Sequence, residues 1–136
     1  MITAVDTNVI SAIWANEPNA SSAESLLTES YARGQLVLCP VVYSELLCHP
    51  AMEPSGTEKL LADSDVRIDF DLDQTIWREA GIRFRSYLKR RPLHAGPRRF
   101  MADFLIAAHA LRSADRLVSF NAPEFRRDFP ELTVLP

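Results

Sequence analysis

Apolar residues fall along this chain in two kinds of run. Short continuous runs at residues 2–5, 36–39, 116–120 and 133–135, with a weaker one at 66–70, read as strands buried on both faces. Between them apolar residues recur at helical spacing. The pattern predicts a short helix over 9–15, broken by Asn16-Glu17-Pro18-Asn19. Ala23, Leu26, Leu27 and Tyr31 predict a second helix, ended by Gly34. Pro40 suits the first turn of a third, over 41–48. Pro50, Pro54 and Gly56 make a loop before a helix at 57–62.

The longest helix is predicted over 73–90. Asp73 caps it, bases cluster at its end as the macrodipole favours, and Ile76, Trp77, Ala80, Phe84 and Leu88 form its buried stripe. A loop over 92–97 leads to a helix at 99–111, and a short helix follows at 123–128. Alternating strands and helices imply an α/β domain in three layers. Its central, mainly parallel sheet has four to five short strands, flanked by helices on both faces. No repeat or linker divides residues 1–136, so one domain is expected, and 136 residues that are 47% hydrophobic suit one core.

Formal net charge is -3, which gives no overall pull toward nucleic acid. The distribution changes that picture. Arg78, Arg83, Arg85, Lys89, Arg90, Arg91, Arg98 and Arg99 share their segment with one acid, Glu79. That leaves seven of the fifteen bases against seventeen of the eighteen acids elsewhere. A basic patch facing an anion, with an acidic site apart from it, is the implication. Cys39 and Cys48 each sit among apolar residues and read as small buried hydrophobes. His49, His94 and His109 are not spaced as a zinc site, and His109 reads as a packed or half-exposed helix residue. Trp14 and Trp77 read as core or dimer interface. No signal peptide and no membrane-spanning run is visible, which predicts a cytoplasmic protein.

Three acids stand out by context. Asp6 ends the first strand, where it is either the N-cap of the next helix or a carboxylate at the ligand-binding edge of an open sheet. Glu45 and Asp103 are each the lone acid in an otherwise apolar helix, and Asn121 follows a strand. An acid so placed needs a partner or a cation. Two unit charges at 4 Å repel by about 4 kcal/mol at an effective dielectric of 20. Meeting carboxylates therefore take up protons, or bind a hard divalent cation such as Mg²⁺ or Mn²⁺.

Asp6-Thr7-Asn8, Glu45, the segment Ala102 to Ala110 around Asp103, and Leu117-Val118-Ser119-Phe120-Asn121 resemble the PIN domain in order and spacing. More narrowly, they resemble VapC-type toxins of toxin–antitoxin modules. The resemblance implies a PIN-like fold and a Mg²⁺- or Mn²⁺-dependent endoribonuclease that hydrolyses RNA phosphodiesters with a metal-activated water. It also implies a homodimer, assembled into a heterotetramer or larger with a small antitoxin. Carried across, Asp6 and Asp103 are the main metal ligands, and Glu45 is a further ligand, directly or through water. Many relatives have a fourth acid where Asn121 stands, so a single metal is expected, with Glu124 and Asp128 as candidates for compensation. Thr7, Asn8 and Ser119 are supporting polar groups, and Arg85, Lys89, Arg98 and Arg99 are candidate RNA contacts. Asn121 keeps open a rival, a non-catalytic RNA- or partner-binding module. A second rival, Asp6 as a covalent nucleophile for phosphoryl transfer, lacks a Lys near a strand end to support it.

Overall fold

A computed structural model describes residues 1–93 and 96–136. The expected residue His94 lies outside that set. Five strands, β1 (Ile2–Val5), β2 (Gln35–Leu38), β3 (Arg67–Ile68), β4 (Arg116–Val118) and β5 (Val134–Leu135), form one sheet in the order β3-β2-β1-β4-β5. Every pairing is parallel. Among the described residues seven helices connect them: α1 (Thr7–Trp14), α2 (Ala20–Arg33), α3 (Pro40–Leu47), α4 (Pro54–Asp63), α5 (Gln74–Arg90), α6 (Met101–Ser113) and α7 (Ala122–Asp128).

Continuous apolar runs suit such a sheet, because helices cover both of its faces. β1 lies at its centre, with Ala4 opposite Val37 on one side and Leu117 on the other. From β1 the chain steps outward to β2 and β3, then returns past β1 to β4 and β5. With right-handed crossovers the two directions place their helices on opposite faces. The strand order reverses between β1 and β4. In open sheets the crevice beyond the carboxyl ends of the strands at such a point receives ligands.

Packing corrects several expectations. The buried stripe of α5 is Ile76, Ala80, Phe84 and Tyr87, while Trp77 and Leu88 are exposed. Tyr87 displaces Leu88 because Phe104 of α6 packs against both Phe84 and Tyr87, with ring centroids 5.0 and 5.6 Å away. Tyr31 also points outward, and buried Ser30 takes the inward position on α2. Cys39 is buried as expected, and burial pushes its thiol up to about 11. Cys48, one residue past the end of α3, is exposed. α4 starts at Pro54 rather than 57, since a proline at the first helical position loses no hydrogen bond.

Gly34 marks the one close backbone approach. Here α2 turns into β2, and the Gln35 N–H donates to the Met1 carbonyl at 2.9 Å. A Cβ on Gly34 would lie 2.0 Å from that same Met1 oxygen. Both groups are main chain and neither can swing aside. Gly34→Ala is therefore expected to cost about 1–3 kcal/mol, as overpacking does, read as a lower urea midpoint with an unchanged slope.

Candidate metal and acid centre

β1 stops at Val5 because Asp6 turns the chain into α1. The Asp6 N–H still donates to Val118 of β4 at 3.0 Å, which fixes the carboxyl end of β1 against β4. Just beyond, the two chain segments are stapled by side chains. Ser119 Oγ donates to Asp6 Oδ2 at 2.6 Å. Asn8 Oδ1 accepts the Phe120 N–H at 3.2 Å, and its Nδ2 donates to Ser119 Oγ at 3.4 Å. The Asn121 N–H also donates to Ser119 Oγ, at 3.0 Å. These bonds explain why β4 ends at Val118 rather than 120.

The structure sets Asp6 in this crevice with Glu45 and Asp103 close enough to repel it. Asp6 is 5% exposed. Burial pushes its carboxyl up to about 6, opposed by the Ser119 hydrogen bond and reinforced by the charges of Asp103 and Glu45. Glu45, on α3, is also raised, first by burial and further by Asp103, while a 3.0 Å hydrogen bond from Thr7 Oγ1 to its Oε1 opposes the shift. Asp6 could have been simply a helix cap, but its side chain makes no cap hydrogen bond to α1. Its Oδ2 accepts the Ser119 O–H instead.

Asp103 sits in the first turn of α6, and Arg99 Nε lies 3.5 Å from its Oδ2. Arg99 was expected on the basic surface, yet its side chain is 10% exposed. Its guanidinium lies between the rings of Phe104 and Phe125, 4.9 Å from each centroid. It also pairs with Asp128 and donates to the Glu124 carbonyl at 3.2 Å. Asp128, 1% exposed in its side chain, is committed to Arg90 and Arg99, so it is unavailable as a replacement acid. Asn121 is exposed at the start of α7, and its side chain makes no cap hydrogen bond. Arg85, Lys89 and Arg98 remain exposed, with Arg98 over the Phe84 ring at 5.4 Å. His109 is fully buried, its Nε2 2.8 Å from Asp69 Oδ2.

Among the described residues, no group of three His, Cys, Asp or Glu side chains is arranged to hold a metal ion. Ser119 engages Asp6, Thr7 engages Glu45 and Arg99 engages Asp103. The donor set nonetheless fits a hard divalent cation. It consists of oxygens alone, and neighbouring carboxylates hold the Asp6 and Glu45 carboxyls above their ordinary range, a cost that a cation removes.

A pH dependence follows for the metal-free protein. The Asp6 carboxyl goes from an ordinary 3.8 to about 6 on folding. A group raised in this way contributes stability below its unfolded value and loses it as pH rises through the folded value. In chelator, stability should fall between about pH 4 and 6 by up to ~3 kcal/mol. The melting temperature of Asp6→Asn should lack that component, and identical profiles for parent and variant would refute it.

The PIN domain family model matches residues 3–127. No curated protein matches the chain. Among solved structures, VapBC-1 from nontypeable Haemophilus influenzae aligns with a TM-score of 0.71 and 23% identity, over 99% of this chain and 97% of that one. VapBC2 from Rickettsia felis, bound to a DNA fragment from its promoter, gives 0.68 and 24%, over 99% and 98%. FitAcB from Neisseria gonorrhoeae gives 0.65 and 21%, over 100% and 97%. At these identities the likeness is one of fold. With a parallel sheet in the order β3-β2-β1-β4-β5, and a family model that spans nearly all of it, the chain belongs to the PIN domain family.

Proposed function

We propose that the protein is a Mg²⁺- or Mn²⁺-dependent endoribonuclease, acting as the toxin of a toxin–antitoxin pair. The observation that carries this reading is the buried Asp6 carboxyl just past β1, pushed up by burial and by the charges of Asp103 on α6 and Glu45 on α3. Asp6 and Asp103 hold the cation, with Glu45 as a further ligand. When bound, the ion supplies positive charge against the phosphodiester and makes a water more acidic. Ser119 fixes the orientation of Asp6 through Oδ2. Thr7 does the same for Glu45. Arg99 holds Asp103 from behind, anchored on Asp128. Asn121, being neutral, favours one tightly held ion rather than two.

An apolar groove of about 380 Å³ supports the regulatory half of the proposal. Ile13, Trp14, Leu27, Leu38 and Leu60 line it, together with Val5, the residue before Asp6. An apolar segment of a small antitoxin would seat there. The VapBC and FitAcB structures make this family of partners the one to test.

The test is incubation of total RNA with the purified protein, with and without Mg²⁺, followed by mapping of product ends. Expected are Mg²⁺-dependent cuts that leave 5′-phosphate and 3′-hydroxyl ends. A second reading, a non-catalytic binding module, draws on the neutral Asn121 and on the Arg99–Asp103 contact. It predicts no carboxylate-dependent uptake when Mn²⁺ is titrated into the protein, whereas the nuclease reading requires it.

A further inference from the structure

Three guanidinium groups from two separate elements surround one cavity outside the acid centre. Arg90 ends α5, Arg91 follows it, and Arg127 lies in the last turn of α7. With Tyr87, Pro92 and Pro97 they line a space of about 350 Å³. Arg90 is fixed by its pair with Asp128 and by the Tyr87 ring, 5.9 Å from its guanidinium carbon. Arg91 donates to the Gly96 carbonyl. Arg127 is exposed, forms no ion pair among the described residues, and lies near enough to repel Arg99. Asp128 is buried under Arg90 and Arg99 and offsets part of their charge, which leaves Arg127 as the cation most open to an anion. Glu124 of the same helix attracts Arg99.

Like charges gathered in this way call for an anion. The position of the cavity indicates which kind. Arg99 spans the wall between it and the acid centre, with Asp103 on one side and Asp128 on the other. The Arg99 backbone N–H also donates to the Tyr87 hydroxyl at 2.9 Å. Through Arg99 the cavity and the acid centre are linked by a single side chain. The walls are two prolines and a tyrosine, with guanidinium forks as the charged donors. That set suits a phosphate, which arginine meets with paired N–H bonds.

We propose that the cavity is a phosphate subsite for the RNA strand. One backbone phosphate, distinct from the one being cut, rests against Arg127, with Arg90 and Arg91 behind it. The contact sets the register of the strand across Asp6, Glu45 and Asp103 without reading its sequence. The identity of the ligand rests on the ribonuclease reading; the anion site itself rests on the three arginines.

The test is binding of a fluorescent single-stranded RNA to the metal-free protein over a salt series, so that no cleavage intervenes. Arg127→Gln is expected to weaken binding about tenfold, equally for unrelated sequences, and to lower the salt slope by about 0.7, the share of one phosphate on a single strand. Arg127→Lys should keep the slope. Lys59→Gln, on the exposed face of α4, should change neither. Parent affinity and slope in Arg127→Gln would overturn the subsite. RNA held with the Arg127-dependent slope but never cut on adding Mg²⁺ would overturn the ribonuclease reading and leave the subsite standing. A parent protein that binds no RNA would overturn both.

Discussion

Asp6→Asn is expected to lower Mg²⁺-dependent RNA cleavage by more than about 100-fold while the fold is retained. The substitution keeps the size of the side chain, and an amide oxygen can still accept the Ser119 O–H. What it removes is charge, at the most buried of the three acids. Losing a group that merely orients a metal ligand costs about 10- to 100-fold in affinity or activity, so losing a ligand should cost more. The checks are a rate on a defined RNA and a far-ultraviolet circular dichroism spectrum. Parent-like cleavage by the variant would remove Asp6 from the centre. Weak cleavage restored by raising Mn²⁺ would keep Asp6 as a ligand and show that its charge sets affinity.

Asp128→Ala should produce the largest loss of stability, about 3–5 kcal/mol, the usual cost of breaking a buried ion pair on one side. Asp128 is 1% exposed and faces two arginines. Arg99 is itself 10% exposed, so removal of Asp128 leaves its guanidinium between two phenylalanine rings with only Asp103 and a carbonyl for company. The useful comparison is Glu29→Ala. The pair of Glu29 with Arg33 on α2 is more than half exposed on both sides, and such pairs contribute less than about 1 kcal/mol. Urea unfolding of both variants separates the cases, and equal losses would show that the Asp128 pair is not stabilising through burial. Asp128→Ala should also loosen Asp103, since the residue behind it has lost its anchor.

Much of this architecture could be read before any coordinates. Strands buried on two faces announce themselves as unbroken apolar runs, and β1 ending just before Asp6 followed directly. The parallel pairing of five strands agrees with that reading, while their order came only with the structure. The orientation of α5 did not come through. Trp77 and Leu88 are as apolar as their neighbours, and only the shape of Phe104 and its rings decides that Tyr87 faces inward. Arg99 was misplaced for a related reason. In sequence it is one more base in a basic run, and its true partner, Asp128, stands 29 positions away. Long-range pairing of charges leaves no local trace. The same limit hid the cavity lined by Arg90, Arg91 and Arg127, which is assembled from separate elements.

The bond between Ser119 and Asp6 joins residues 113 positions apart. A ribosome that has made β1 must therefore complete β4 before the first acid gains its neighbour. Until then β1 has only one of its two flanking strands to pair with, and the crevice has one wall. The acid centre is thus a product of the assembled sheet, and no early segment of the chain carries it alone.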